Sequence, residues 1–219
     1  MGLTDDMIRK AAAEGEDFEL ERALRHTDGK PNMADDDGLT PMMHAAKGGF
    51  SRCISHLCDF GGDVHARDKQ GRSAMLHAAE NGRAGAVQTL LEKGASPAAR
   101  DNDGRTALHA ACDSGDVQTV ETLAACTYLL DYRGPQGRTP IMQAAMNGHT
   151  DIIRLLVQKG ADIKATDDAG LSAADYAHLC GQRETEVALE GMHVTSIFAG
   201  GVTKRLKVHS PIKLKTARP

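Results

Sequence analysis

The stretch Asp101-Asn102-Asp103-Gly104-Arg105-Thr106-Ala107-Leu108-His109-Ala110-Ala111 decides how this chain folds, because its pattern recurs at a fixed distance on both sides. Gly104-Arg105-Thr106 is preceded by Gly38-Leu39-Thr40 and Gly71-Arg72-Ser73 and followed by Gly137-Arg138-Thr139 and Gly170-Leu171-Ser172, at steps of 33 residues. A period of that length marks a stacked array of small units rather than one closed core. The register holds through each unit. Ala45, Ala78, Ala111, Ala144 and Ala177 recur, then Gly49, Gly82, Gly115, Gly148 and Gly181, then Leu57, Leu90, Leu123, Leu156 and Leu189, with no insertion or deletion.

Each unit reads as a tight turn, a short Ala-rich helix, a glycine break and a second helix with apolar residues at helical spacing, as in Ile152, Ile153, Leu155 and Leu156. Alanine pairs such as Ala45-Ala46, Ala78-Ala79 and Ala144-Ala145 let the first helix lie close to its neighbours while keeping helix propensity. Gly38 and its equivalents suit a turn position with positive φ, and Gly61, Gly94 and Gly160 suit left-handed caps on the second helix. Thr40 and its equivalents can cap the first helix through the hydroxyl, with Pro41 and Pro140 at N1, where a missing N–H costs nothing.

The segment 101–111 resembles the signature of the ankyrin repeat, and Lys159-Gly160-Ala161-Asp162-Ile163 resembles its helix end. The resemblance covers roughly residues 28 to 191 in five full copies. It implies an all-α solenoid of stacked helix-turn-helix units with β-turn or hairpin loops. The expected organisation is an atypical N-terminal capping repeat over 1–34, five repeats over 35–191, and a basic, flexible tail over 192–219.

Composition fits thin helical layers: there is no Trp, and aromatics make up 3% of the chain. Five cysteines without a Cys-x-x-Cys pair, no signal peptide and no apolar run of membrane length lead to an expectation of a reducing compartment, the cytoplasm first and the nucleus second. Charge is unevenly distributed. Residues 1–40 hold eleven acids and five bases, whereas residues 192–219 hold six bases and no acid. The tail reads first as a solvated terminus. Alternatives are a docking peptide for an acidic surface, a short nuclear signal at Lys204-Arg205-Leu206-Lys207, or a phosphorylation site at Ser210-Pro211.

Nothing resembles a catalytic constellation. Gly71-Arg72-Ser73-Ala74-Met75 is not a Gly-x-Ser-x-Gly elbow, and there is neither a phosphate loop nor a His-Glu-x-x-His. Cys53, His56 and Cys58 do not share one helix face and read as structural residues rather than metal ligands; Cys112 reads as a small packing residue. No cofactor and no metal is expected. By resemblance, His109 should tie neighbouring units through a backbone hydrogen bond, a role that Met43, Leu76, Met142 and Asp175 cannot copy in the other units. His44 and His77, one position further on, read as structural. Cys126-Thr127-Tyr128-Leu129-Leu130 replaces the usual helix ending, so the second helix of that unit should stop differently; Tyr128 and Tyr132 would be anchors if exposed.

The resemblance also implies where a partner would bind, in a concave groove lined by turn tips and the exposed face of each first helix. The corresponding positions are Asp36, Asp37, Leu39 and Lys47; Lys69, Gln70, Arg72, Glu80 and Asn81; Asn102, Asp103, Arg105, Asp113 and Ser114; and Pro135, Gln136, Arg138, Met146 and Asn147. Asp168, Ala169, Leu171, Leu179 and Cys180 continue the series. Arg72, Arg105 and Arg138 form a ladder, and Arg67, Arg100 and Arg133 a second one five residues earlier. Such a double ladder would favour a protein partner with spaced acids. The competing reading pairs these arginines with Asp68, Asp101 or Asp103 inside the turns. The expectation is a non-enzymatic interaction module, an adaptor or scaffold, monomeric when free and without membrane contact. The alternatives are a regulatory subunit or inhibitor of an enzyme, or a nuclear factor touching nucleic acid only through the tail.

Overall fold

A computed structural model describes residues 3–26 and 30–199 of the chain. Among the described residues there are twelve α-helices and no strand beyond isolated bridges. They are α1 (Leu3–Glu14), α2 (Asp17–His26), α3 (Pro41–Gly48), α4 (Ser51–Asp59), α5 (Ala74–Glu80), α6 (Ala84–Glu92), α7 (Ala107–Ser114), α8 (Val117–Ala124), α9 (Pro140–Met146), α10 (Thr150–Lys159), α11 (Ala173–Leu179) and α12 (Arg183–Ala199). Odd-numbered helices pack in one row and even-numbered helices in a second, each touching the next helix of its own row and its partner in the same unit. The result is an all-α repeat solenoid.

The division of labour between the rows follows from side-chain size. Ala45, Ala78, Ala110, Ala111, Ala144, Ala145 and Ala177 are fully buried where inner helices meet. Bulk comes from the outer row, where Ile54, Leu57, Leu90, Leu123, Ile152, Ile153 and Leu156 are buried beneath it. These join one continuous apolar core running the length of the stack. Truncating any of the large residues would cost about 2–5 kcal/mol.

Turn glycines take the expected left-handed conformation, for example Gly71 at φ 75°. Helix α10 ends on Gly160 in the same region. Capping by the turn hydroxyls is less uniform than expected. Thr40, Ser73 and Ser172 accept from the N3 amides of their helices. Thr106 instead directs its hydroxyl to His109 Nδ1 at 2.8 Å, and the buried Thr139 hydroxyl has no partner among the described residues, with Met142 where His109 would stand.

Helix α8 stops at Ala124, and a 3₁₀ turn at Thr127–Leu129 carries the chain onward, burying Leu129 and Leu130. Tyr128 is 63% exposed, but Tyr132 is half-buried under the Arg100 guanidinium and so is not a free anchor. A second difference lies at the C-terminal side. The boundary expected at residue 192 falls inside α12, which continues to Ala199. After Gly191, which α12 passes through, residues 192–199 contain no Pro or Gly, and Gly200 is the next glycine. The basic segment from Gly200 onward, with Lys204, Arg205 and Ser210, lies outside the described residues.

Candidate functional site

Four of the five turns of this solenoid are built on an aspartate that opens them. Asp35, Asp68, Asp101 and Asp167 each use Oδ1 to accept the backbone amides two and four residues on, at 2.8–3.1 Å. This Asx arrangement closes the turn. The second oxygen is held by the first helix, nine residues along. His44 Nε2 donates to Asp35 Oδ2 at 2.9 Å, His77 Nε2 to Asp68 Oδ2 at 3.0 Å, and the Tyr176 hydroxyl to Asp167 Oδ2 at 2.6 Å. In the Gly104 unit the position is Ala110, and Asp101 gains no such bond. The histidines at 44 and 77 are therefore turn ties. Nothing but the recurrence of Asp with His or Tyr nine residues later could have revealed this in the sequence.

Electrostatics follow from these bonds. Burial pushes the Asp68 carboxyl up, but the backbone and side-chain hydrogen bonds from Arg72, the bond from His77 and the charge of Arg72 outweigh it, so it sits below the usual carboxylate range. Asp35 is lowered in the same manner, with burial opposed by Leu39, His44 and Asp37. Tyr176 is the main reason that Asp167 is lowered. Burial, reinforced by the Arg72 charge, holds the His77 imidazole below its ordinary pKa.

The Gly137 unit departs from this design. Gly134 replaces the aspartate and Pro135 follows, in a 3₁₀ turn whose Gln136 has φ 60°. A Cβ on Gly134 would lie 2.7 Å from His109 Nε2. The missing side chain makes room for the imidazole, which donates from Nε2 to the Arg138 carbonyl at 3.0 Å. Because a carbonyl only accepts, Nε2 carries the hydrogen and Nδ1 accepts from Thr106. His109 thus forms the inter-unit tie implied by the resemblance, and does so at the one turn without an aspartate. Burial keeps its pKa low.

Turn tips are also laced together. Lys69 N donates to the Asp37 carbonyl at 3.3 Å, Asn102 N to Gln70 at 2.9 Å, and Asp168 N to Gln136 at 3.0 Å. Pro135 occupies the corresponding donor position and has no N–H. The second arginine row belongs to this lacing. Arg67 donates to the Arg100 carbonyl, Arg100 Nε to the Tyr132 hydroxyl at 2.7 Å, and Arg133 to the Thr166 carbonyl at 2.8 Å and Asp168 at 2.8 Å. Arg67, Arg100 and Arg133, expected as a second ladder for an acidic partner, are exposed, and each also bonds the next unit.

The other expected positions share one side of the stack. Asp36, Asp37, Lys47, Lys69, Gln70, Asn81, Asn102, Asp103, Ser114, Gln136 and Asn147 are exposed; Leu39, Arg72, Glu80, Arg105, Asp113, Pro135, Arg138 and Met146 are half-buried. Asp37, Leu39, Lys47, Gln70, Arg72, Glu80 and Asn81 line one open depression between turn tips and inner helices. Arg105, Asp113, Pro135, Arg138 and Gln143 line a second. Arg72 Nε bonds Asp68 Oδ2 at 2.9 Å and reaches Glu80 at 3.6 Å, so here the pairing inside the turn prevails. Arg105 pairs with Asp113 and lies 3.9 Å from Glu80. Asp113 also accepts from Gln143 and from Asn147, the latter at 2.9 Å. Arg138 has no carboxylate within ion-pair distance among the described residues; its Nε is buried without a partner, and its guanidinium carbon sits 5.5 Å from the Tyr176 ring centre.

Among the described residues no three His, Cys, Asp or Glu side chains converge as metal ligands, and no helix is long and apolar enough to cross a membrane. Burial pushes Cys53 up to about 11 and raises Cys58 and Cys112 as well, which makes all three poor thiolate donors.

A family model described as "Ankyrin repeats (3 copies)" matches residues 8–101, 78–133, 97–167 and 122–185. The chain belongs to the ankyrin repeat family. Among solved structures, it is similar to a chain in the complex of the Bd0816 predatory endopeptidase from Bdellovibrio bacteriovorus with immunity protein Bd3460. The identity is 24% and the TM-score 0.76, covering 84% of this chain and 97% of that one. It is also similar to EF0377, an ankyrin repeat protein, at 25% identity and TM-score 0.74, covering 85% and 97%. A search of curated proteins returned no match. Ankyrin repeats generally mediate protein–protein interaction, and no catalytic family is indicated.

Proposed function

We propose that this ankyrin array is a non-enzymatic adaptor or scaffold that binds a protein partner along its concave turn-and-helix face. One observation carries the reading: the residues free to vary between units gather on that face as exposed or half-buried side chains, while the frame positions are consumed by stacking and turn closure. Solenoids present their extended concave surfaces in this way. The groove alternates Asp, Lys, Gln, Arg and Asn, which suits the polar, hydrogen-bonding character of a protein interface better than the continuous basic face that nucleic acid needs. On the composition grounds above, the module works in a reducing compartment, as a monomer when free.

Photo-crosslinking residues at Gln70 and Gln136, on the turn tips, should capture the protein partner. The same residues at Gln88 in α6 and Gln158 in α10, exposed on the opposite row, should not. Adducts formed equally well from the outer helices would overturn the groove assignment.

A further inference from the structure

On the concave face, the residue after each turn glycine is paired in register with the residue eight positions later at the end of the first helix. The five pairs are Leu39 with Lys47, Arg72 with Glu80, Arg105 with Asp113, Arg138 with Met146, and Leu171 with Leu179. In the second and third pairs the arginine meets a carboxylate within the chain. In the fourth, the acid is replaced by methionine; Arg138 reaches the Met146 thioether at 3.8 Å and the Tyr176 side chain, with no carboxylate in an ion pair among the described residues. Its neighbouring carboxylates are already committed. Asp113 is occupied by Arg105, Gln143 and Asn147. Asp167 feels the Arg138 charge, but its oxygens are occupied by Tyr176 and the Ala169 and Leu171 amides. Glu80 lies between Arg72 and Arg105. The next pair along is wholly apolar, with Leu179 66% exposed.

We infer that Arg138 is the anchor for an acidic peptide segment of the partner, whose Asp or Glu carboxylate takes the place that Glu80 and Asp113 fill in the preceding units. This rests on the groove reading above and names the chemistry at one point in it. A half-buried guanidinium without an internal carboxylate gains more from an incoming one than an exposed guanidinium does, because its terminal nitrogens can form a charge-assisted pair away from bulk water. The apolar side chain next to that acid lies on Met146 and Leu179, so the preferred segment pairs an acid with an adjacent aliphatic residue. Selectivity would come from Asp113 and Glu80, which repel a second acid placed toward the middle of the groove.

The test uses the full chain and a displayed random-peptide library. Selected peptides should be enriched for Asp or Glu beside an aliphatic residue, and their affinity should fall at least tenfold on Arg138→Gln. Met146→Glu should raise the melting temperature slightly by supplying the internal carboxylate while also blocking the peptides. A merely structural Arg138 would not produce that opposed pair of changes. Peptides that lose binding on Gln70→Ala or Arg105→Ala but not on Arg138→Gln would overturn the anchor and leave the groove standing. Peptides indifferent to every groove substitution, or no selection at all, would overturn both.

Discussion

Two turns of the same solenoid solve one structural problem in opposite ways. At Asp68 a single carboxylate collects two backbone amides, Arg72 Nε and His77, so the turn is closed from within its own unit. At Gly134 that carboxylate is gone, and the turn is held from outside by His109 of the preceding unit. The two solutions exclude each other. An aspartate at 134 would put its Cβ into the imidazole, and the units whose next turn carries an aspartate have Met43, Leu76 or Met142 at the His109 position. The array therefore has one junction stitched by a buried histidine and the rest stitched by backbone amides at the turn tips.

The largest effect should come from breaking the internally closed turn. Asp68→Ala strands Arg72 and His77 around a lost buried charge and should cost about 3 kcal/mol in urea unfolding. Asp101→Ala, whose second oxygen has no helix partner, should cost about 1 kcal/mol. The sign with pH follows from the depressed Asp68 carboxyl. Its contribution is fully present above the unfolded value of about 4 and lost as pH falls through the lower folded value. Acid unfolding should thus be steeper for the parent protein than for Asp68→Ala.

Next in size is forcing the two designs together. Gly134→Asp should cost about 2 kcal/mol through overpacking against His109. Adding His109→Leu should restore part of that loss, giving a coupling energy of about 1 kcal/mol in the double-mutant cycle. Additive losses would show that the glycine and the histidine are unrelated.

His109→Leu alone should cost about 1 kcal/mol, the net worth of the tie to the Arg138 carbonyl. Its pH signature is more telling. Burial depresses the folded imidazole, so the unfolded chain binds the extra proton first, and stability declines as pH falls below about 6.5. That decline should flatten in His109→Leu, leaving the share contributed by His77. A pH profile unchanged by the substitution would mean that His109 is not held neutral.

How much of this was legible in the sequence depends on whether a residue acts within the repeat register or across it. Stacking alanines, left-handed turn glycines and the apolar outer helices follow from single positions repeated, and the structure places them where the period does. The His109 tie came from resemblance to the family. The Asp68–His77 and Asp167–Tyr176 pairs were written in the chain as a nine-residue spacing, yet a lone His or Tyr gives no reason to look for that spacing. The arginine rows could not be told apart by residue type. Arg72 and Arg105 find acids four and eight residues away within their own units, whereas Arg100 and Arg133 reach 32 to 35 residues ahead, a distance that becomes contact only after the units stack. The extent of α12 was missed because loss of the repeat register was equated with loss of helix.

The smallest expected effect separates the two turns by backbone alone. Gln70 and Gln136 occupy equivalent tip positions, but only Gln136 has positive φ, at 60°. A side chain in the left-handed region costs roughly 1 kcal/mol, which Gly avoids. Gln136→Gly should therefore raise stability by about 0.5 kcal/mol, the relief exceeding the added entropy of the unfolded chain. Gln70→Gly removes a side chain from ordinary backbone, losing a long 3.4 Å bond from Arg72 and adding the entropy cost, and stability should fall by a similar amount. Opposite shifts in the melting temperature would show that Gly134-Pro135 forces the tip into a different turn. Shifts of the same sign would mean that the two tips share one backbone conformation, and that the turn differs from its neighbours only in which side chain closes it.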